Sequence, residues 1–171
     1  MERETRFESL FDATYEPLLA YARRRVGGEA EDVVADVLLI AWRRLDEVPG
    51  DAVAWLFGVA RNVILGSRRG MRRRQAVIGR LFSQTAPFAP AAHDARPVLQ
   101  ALAALSEPDR EAILLVAWDG LDTDRAARAM GCSPPAFRVR LHRARGRLRE
   151  RLDDHDEPVR APVPATAKEG R

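Results

Sequence analysis

Residues 123–151, with the sequence TDRAARAMGCSPPAFRVRLHRARGRLRER, constrain the fold of this chain more than any other stretch. Gly131 is the residue type that accepts the left-handed backbone just past a helix. Ser133 followed by Pro134 is a typical start for a second helix, and Thr123 is the expected N-cap of the first. The spacing therefore predicts two helices joined by a tight turn, the helix-turn-helix arrangement.

The second of these helices has one apolar face and one face suited to nucleic acid. At about 100° per residue, one stripe is predicted to be buried, namely Phe137, Leu141, Ala144, Leu148 and Leu152. Outward residues near the helix start are predicted to meet base edges, and flanking arginines to meet phosphates. The residues expected to contact duplex DNA are Ser133, Pro135, Ala136, Arg138, Val139, Arg140, His142 and Arg143. A solvated basic helix is the alternative interpretation of the arginines alone.

Composition narrows the class of protein. The chain has 171 residues, of which 46% are hydrophobic, but it has no run of about 18 apolar residues that would suit a membrane span. Its charged start, MERETRFESLF, lacks the apolar segment of a signal peptide. One cysteine permits no intramolecular disulfide. We therefore expect a cytoplasmic protein with no membrane insertion.

The chain divides into two helical modules. Helical spacing of apolar residues predicts an N-terminal module over residues 1–75 and a second module over residues 98–152, with no strand pattern between them. Prolines and irregular apolar spacing predict an extended linker over residues 76–97 with Leu81, Phe82 and Phe88 as anchors. Residues 153–171 have little to bury and are expected to be a disordered tail. The predicted fold class is all-α: two small helical domains joined by a flexible linker.

A helix predicted over residues 30–45 carries a second candidate surface. Away from its apolar stripe, five residues recur at helical spacing on another face: Asp32, Ala35, Asp36, Leu39 and Arg43. An acidic face with an aliphatic residue at its centre is a plausible protein-docking surface. The alternative is an ordinary solvated face with one exposed leucine.

Residues that could carry enzymatic or metal chemistry are sparse. Cys132 falls at the apolar turn between two helices, where a small core residue is expected rather than a nucleophile. His93, His142 and His155 have no cysteine or carboxylate pattern around them that would bind a metal. We expect no enzyme, no metal and no cofactor.

Three runs together resemble a known family. AEDVVADVLLIAWRRL, then AWLFGVARNVILGSRRGMRRR, then the stretch LSEPDREAILLVAWDGLDTDRAARAMG with its following arginine helix, are similar to regions two and four of extracytoplasmic-function sigma factors. The resemblance implies a subunit that binds core RNA polymerase and promoter DNA, with an anti-sigma factor as a candidate further partner. It implies that the acidic face docks on the clamp helices of the beta-prime subunit, and that the helix-turn-helix reads the minus-thirty-five element.

The resemblance also implies residues for the minus-ten element, which the N-terminal module would melt and hold as a single strand. These are Trp55, Arg61, Asn62, Arg68, Arg69, Arg72, Arg73 and Arg74. The chain departs from the family pattern at Ala35, Gly66, Ala126, Val139 and the run Pro135-Ala136-Phe137. Promoter preference is therefore open.

Two other function classes remain at this point. One is a stand-alone helix-turn-helix regulator with an N-terminal interaction domain, and the other is a polymerase-binding protein without promoter activity. The acidic face with Leu39 and the WLxxxARN segment favour the sigma factor, since an effector-sensing domain would need neither.

Overall fold

The computed structural model describes the backbone of residues 2–78 and 96–156, and the side chains of residues 2–69 and 97–153. All long elements in these ranges are α-helices. The helices are α1 (Glu2–Val26), α2 (Ala30–Arg43), α3 (Ala52–Ile78), α4 (Arg96–Ala103), α5 (Glu107–Ala117), α6 (Thr123–Ala129) and α7 (Pro134–Asp156). Short 3₁₀ turns at Gly27–Glu29 and Leu45–Glu47 frame α2. The all-α fold class is confirmed.

Helices α1, α2 and α3 form the N-terminal module. Its interior is apolar, and the side chains of Leu18, Val37 and Leu56 are inaccessible to solvent. Tyr21 stacks on Phe57 with the ring centroids 4.4 Å apart. The three helices therefore hold together through one shared apolar centre.

Helices α4 to α7 form the C-terminal module, whose helix starts are defined by side-chain caps. The Ser106 hydroxyl accepts a hydrogen bond from the backbone N–H of Asp109 at 3.4 Å, as the sequence predicts for the start of α5. The prediction that Thr123 caps α6 is wrong. Asp122 caps it, and its carboxylate accepts from the N–H groups of Asp124 at 3.0 Å and Arg125 at 2.8 Å. A carboxylate at this position also complements the helix dipole, which a threonine hydroxyl cannot do.

The turn between α6 and α7 has the predicted geometry. Gly131 has a φ of 64°, and the N–H of Cys132 donates to the carbonyl of Ala127 at 3.0 Å. This closes the end of α6 in the manner of a glycine C-cap. The Ser133 hydroxyl accepts from the N–H of Ala136 at 3.4 Å and starts α7. The helix-turn-helix is therefore confirmed.

Helix α2 ends two residues earlier than expected, and three other helices extend beyond their expected bounds. Helix α3 continues to Ile78, α4 begins at Arg96 and α7 continues to Asp156, so each enters a segment predicted as linker or tail. Arginine is a good helix former, and backbone hydrogen bonding extends a helix beyond the last buried residue. The proposed linker anchors Leu81, Phe82 and Phe88 lie outside the described residues.

The two modules pack against each other, which the sequence did not predict. Helix α3 lies along α6, and buried residues of both modules belong to one contiguous cluster. At the crossing, a Cβ added to Gly58 would lie 3.1 Å from the carbonyl oxygen of Ala129. The backbones approach so closely because Gly58 has no side chain. We call this packing of α3 on α6 the closed arrangement.

Candidate nucleic-acid interface

The outward face of α7 is free of contacts with the other helices. Phe137, Leu141 and Ala144 are buried as predicted, and Val139 is 51% exposed. The helical phase is therefore correct. We call the outward residues the reading face: Pro135, Ala136, Val139, His142 and Arg143, all of them exposed.

Arginines flank this face on both sides. Arg138 is exposed and its guanidinium lies 3.9 Å from Asp124, at the edge of ion-pair distance. Arg140 is half-buried, and Ser133 at the helix start is exposed. A valine can rest on a thymine methyl, while guanidiniums reach phosphates on either side of a groove. The geometry thus suits a helix inserted into the major groove.

The acidic face of α2 is also free. Leu38 is 9% exposed, whereas its neighbour Leu39 is 46% exposed. The predicted set is exposed throughout, and we call it the docking face: Asp32, Ala35, Asp36, Leu39 and Arg43. A large exposed leucine surrounded by charges is a feature that a partner surface can bury.

The residues expected to meet the minus-ten element divide into three groups. Asn62 and Arg69 are exposed, and Trp55 is half-buried with the Arg44 guanidinium 5.8 Å from its ring centre. Arg61 and Arg68 are engaged in internal contacts. The side chains of Arg72, Arg73 and Arg74 lie outside the described residues, although their backbone continues α3.

The internal contacts of Arg61 and Arg68 depend on the closed arrangement and on α1. Arg61 pairs with Glu107 of the C-terminal module at 3.1 Å. Arg68 donates to the backbone carbonyl of Arg25 at 2.9 Å. In the closed arrangement the Arg61 side chain is therefore paired and only 18% exposed.

A group of polar residues buried between the modules was missed by sequence reasoning. We call it the inter-module ion cluster: Tyr21, Arg24, Arg25, Glu111 and Asp119. Arg25 pairs with Glu111 at 2.9 Å and with Asp119 at 2.7 Å, while Arg24 also pairs with Asp119. The Asp119 carboxylate has no solvent exposure, and Arg25 is 6% exposed.

Tyr21 completes this cluster. Its hydroxyl donates to Glu111 at 2.8 Å, and its ring lies 3.5 Å below the Arg25 guanidinium. Burial, and secondarily the negative charge of Glu111, raise the pKa of Tyr21 well above its ordinary value. A sequence signal existed: Arg25 lies four residues after Tyr21, and Glu111 directly precedes an apolar run.

A second polar contact joins the modules at their other edge. Asp51, in the loop before α3, receives hydrogen bonds from Arg125 at 2.9–3.2 Å and pairs with Arg128 at 2.5 Å. Burial raises the pKa of the Asp51 carboxyl, but the hydrogen bonds from both arginines outweigh burial and lower it below its ordinary value. This contact is more exposed than the ion cluster, with the Asp51 side chain 30% accessible.

Other chemistry is not evident in the part of the chain that the structure describes. There, no helix is long and apolar enough to cross a membrane. No three histidine, cysteine, aspartate or glutamate side chains gather as metal ligands within the same ranges. Cys132 is half-buried and packs against the core, as expected.

An exposed basic face on a helix-turn-helix, together with a separate exposed acidic face, is the pattern expected of a DNA-binding protein that has a protein partner. Comparisons with known proteins agree. The family description "Sigma-70 region 2" matches residues 10–74, and "Sigma-70, region 4" matches residues 95–148. The first match includes most of α1 to α3, and the second includes α4 to α6 and most of α7.

Individual relatives and solved structures that resemble the chain are also sigma factors. The chain is 37% identical to the ECF RNA polymerase sigma factor SigL of Mycobacterium tuberculosis over 157 residues, 85% of this chain and 88% of SigL. It is 32% identical to the sigma factor EcfG of Rhodopseudomonas palustris, over 70% of this chain and 68% of EcfG. The sigma factor RpoE of Bartonella quintana, solved with the anti-sigma factor NepR, superposes with a TM-score of 0.69 at 32% identity, covering 86% of this chain and 96% of RpoE. CnrH, solved with the cytosolic domain of CnrY, gives 0.60 at 28% identity, covering 86% of this chain and 88% of CnrH.

The chain belongs to the sigma-70 family, in its extracytoplasmic-function group. As a sigma factor it binds core RNA polymerase and directs promoter recognition and transcription initiation, with region 2 acting at the minus-ten element and region 4 at the minus-thirty-five element. The alternative of a stand-alone regulator does not explain a match to both regions.

Proposed function

We propose that this sigma factor engages polymerase through the docking face and the minus-thirty-five element through the reading face. The observation that carries the proposal is the simultaneous exposure of both faces on opposite modules, with Leu39 46% and Val139 51% accessible. Among the described residues, the other large apolar side chains with comparable exposure are Phe11, Val98 and Trp118. The docking face then binds polymerase, and the reading face binds promoter DNA.

The docking face is tested by charge reversal with loss of its leucine. Asp36→Arg together with Leu39→Ala should weaken binding to core polymerase at least tenfold and leave thermal unfolding unchanged, because both side chains point outward. The matched control is Glu8→Arg together with Val98→Ala, which makes the same charge reversal and a similar apolar loss at exposed positions elsewhere. Unchanged polymerase affinity, or equal loss in the control, contradicts the assignment.

The reading face is tested by separating sequence preference from affinity. Neutralising Arg138 or Arg140 should lower affinity for all promoters and reduce the salt dependence by about one unit of log–log slope, since each contacts phosphate. Substitution of Ala136, Val139 or Arg143 should instead change the preferred upstream element. The measurement is selection of minus-thirty-five sequences by each variant bound to polymerase. If the arginine variants and the variants of the reading face change sequence preference alike, α7 lies in the groove in another orientation than the one proposed.

For the minus-ten element we propose that Trp55, Arg61, Asn62, Arg68, Arg69, Arg72 and Arg73 act once the modules separate. Support comes from the Arg61–Glu107 pair, which joins the two modules in the closed arrangement. An aromatic ring and neighbouring guanidiniums suit a stacked base and its backbone. Trp55→Ala in holoenzyme should reduce permanganate reactivity of thymines in the minus-ten region. Ser67→Ala, exposed on the same helix, is the control and should not.

The closed arrangement suggests that another protein regulates this sigma factor by binding to it. The likeness to RpoE spans both modules, and RpoE in that structure is held by an anti-sigma factor. We propose that an anti-sigma factor also binds this chain, that the protein acts in the cytoplasm alongside polymerase, and that it is not an enzyme. The test is to co-express this chain with a candidate anti-sigma factor and to measure whether the candidate competes with core polymerase for it.

A further inference from the structure

A pocket opens between the modules beside the ion cluster. Its N-terminal wall comes from α1 and α3, and its C-terminal wall from α4 and α5. The lining residues used below are Arg24, Arg61, Arg68, Arg110, Glu107 and Leu114. Neither module forms this pocket alone.

Two guanidiniums in the pocket have no carboxylate partner in the described ranges. Arg68 of α3 donates to the backbone carbonyl of Arg25 at 2.9 Å. Arg110 of α5 donates to the backbone carbonyl of Ala103 at 3.1 Å. A carbonyl holds each side chain in place but neutralises none of its charge, and each guanidinium has five N–H donors. The free donors of two modules therefore line the same pocket.

The two charges also repel each other. Burial, followed by the charge of Arg68, lowers the pKa of Arg110 below its ordinary value, and the charges of Glu107 and Glu111 offset this only in part. Two more lining residues have unsatisfied donors: the Nε atoms of Arg24 and Arg61 are buried without a hydrogen-bond partner among the described residues. Buried unpaired donors are costly, and each one calls for an acceptor.

Charge in the pocket favours an anionic acceptor. Five arginines line it, since Arg25 joins those named above, but the lining carboxylates are only Glu107 and Glu111. Both are already paired, Glu107 with Arg61 and Glu111 with Arg25. An added anion would find excess positive charge, and arginine forks match the oxygens of phosphate.

We propose that this pocket binds a small phosphate-bearing anion that bridges Arg68 and Arg110. Leu114 and the neighbouring Ile64 and Leu65 add an apolar wall beside the phosphate position. Because the two arginines belong to different modules, the bound anion strengthens the closed arrangement. The inference goes beyond promoter recognition: it assigns a small-molecule site to the free sigma factor.

Calorimetric titration of the full chain with inorganic pyrophosphate, at constant ionic strength, tests the site. We expect saturable binding with one site, weakened about tenfold or more by Arg110→Gln, since a charge-assisted hydrogen bond is lost. Arg149→Gln is the matched control, because it removes the same charge from an exposed position on α7. Equal weakening in the control, or no binding of pyrophosphate, overturns the proposal.

A second variant should change the affinity for pyrophosphate in the opposite direction. Glu107→Gln removes a negative charge from the pocket but keeps an amide oxygen that can accept from Arg61 and hold the modules together, so pyrophosphate affinity should rise several-fold. A fall or no change overturns the bridging geometry. Repeating the titration with a nucleoside diphosphate distinguishes the source of the phosphate: tighter binding than pyrophosphate assigns the apolar wall to a base, and equal binding assigns the site to free phosphate.

Discussion

The interior of each module is mainly apolar, with Asp109 of the C-terminal module, which pairs with Arg147, as a buried exception, whereas the contact between the modules holds a cluster of buried charges. In the N-terminal module, Leu18, Val34 and Leu56 pack with almost no exposure. Where the modules meet, Arg25 and Glu111 are buried at 6% exposure each and face each other. The interiors are thus mainly apolar, whereas the contact adds several buried charges to its apolar packing.

This difference teaches how the molecule can be stable and still open. Apolar burial contributes about 25 cal/mol per Å² and is lost on exposure. A buried ion pair gains little net energy, because its charges recover their hydration when they separate. The contact combines such pairs with apolar packing of α3 on α6, so opening it should cost less than unfolding either module but more than breaking the ion pairs alone. Four predictions can break or sharpen this comparison.

The largest effect is expected in the interior. Phe137→Ala should destabilise the protein by about 3–5 kcal/mol, because it deletes a fully buried aromatic ring. Val139→Ala, two residues along the same helix and half exposed, should cost roughly 0.5 kcal/mol or less. Urea unfolding of the full chain measures both. Equal losses would mean that α7 is rotated from its described orientation.

Next in size is a steric test of the closed arrangement. Gly58→Leu places a side chain against the Ala129 carbonyl, which should oppose closure by about 1–3 kcal/mol. Gly66→Leu is the control, since it gains the same helix propensity on α3 and its Cβ meets nothing within 4 Å. Small-angle scattering should show a larger radius of gyration for Gly58→Leu only. A compact Gly58→Leu variant would contradict the backbone crossing described.

Tyr21 provides a spectroscopic measure of the contact. The chain has two tyrosines, so Tyr15→Phe leaves Tyr21 as the only phenol. Burial and Glu111 raise its folded-state pKa above the unfolded value of about 10. The resulting stability is fully present below that unfolded value and is lost as pH rises toward the raised one.

Absorbance at 295 nm should therefore titrate above pH 10 in Tyr15→Phe, and at lower pH when Glu111→Gln is added. Adding Glu8→Gln instead, an exposed carboxylate far along α1, should leave the midpoint in place. A midpoint unaffected by Glu111→Gln would show that the Tyr21–Glu111 hydrogen bond makes no contribution in solution.

The smallest effect is expected at the exposed edge. Asp51→Asn should change stability by about 0–1 kcal/mol, as partly exposed ion pairs usually do. The Asp51 pKa is lowered in the folded state, so its contribution is present above the unfolded pKa and is lost as pH falls through the folded one. Thermal unfolding of both proteins at neutral pH and near pH 3 should show the difference between them narrowing in acid. A constant difference would indicate that the arginine contacts do not form.

Much of the local structure was predictable because its causes are local. Gly131, Ser133 and Pro134 define the turn within four residues, and the spacing of Phe137, Leu141 and Ala144 sets the face of α7. The same periodicity predicted that Leu39 and Val139 face solvent, and both side chains are exposed. The cap of α6 was misplaced by one residue, because Asp122 and Thr123 are both good capping residues and only the backbone angles choose between them.

By itself, the sequence determined the all-helical class, the helix-turn-helix and the exposure of both faces, since each follows from periodicity and capping within one or two turns. Only the tertiary structure decided how the modules meet. Tyr21 and Glu111 are 90 residues apart, and Arg25 and Asp119 are 94 apart. Which buried arginine meets which carboxylate depends on how α3 crosses α6, and no local pattern encodes that choice.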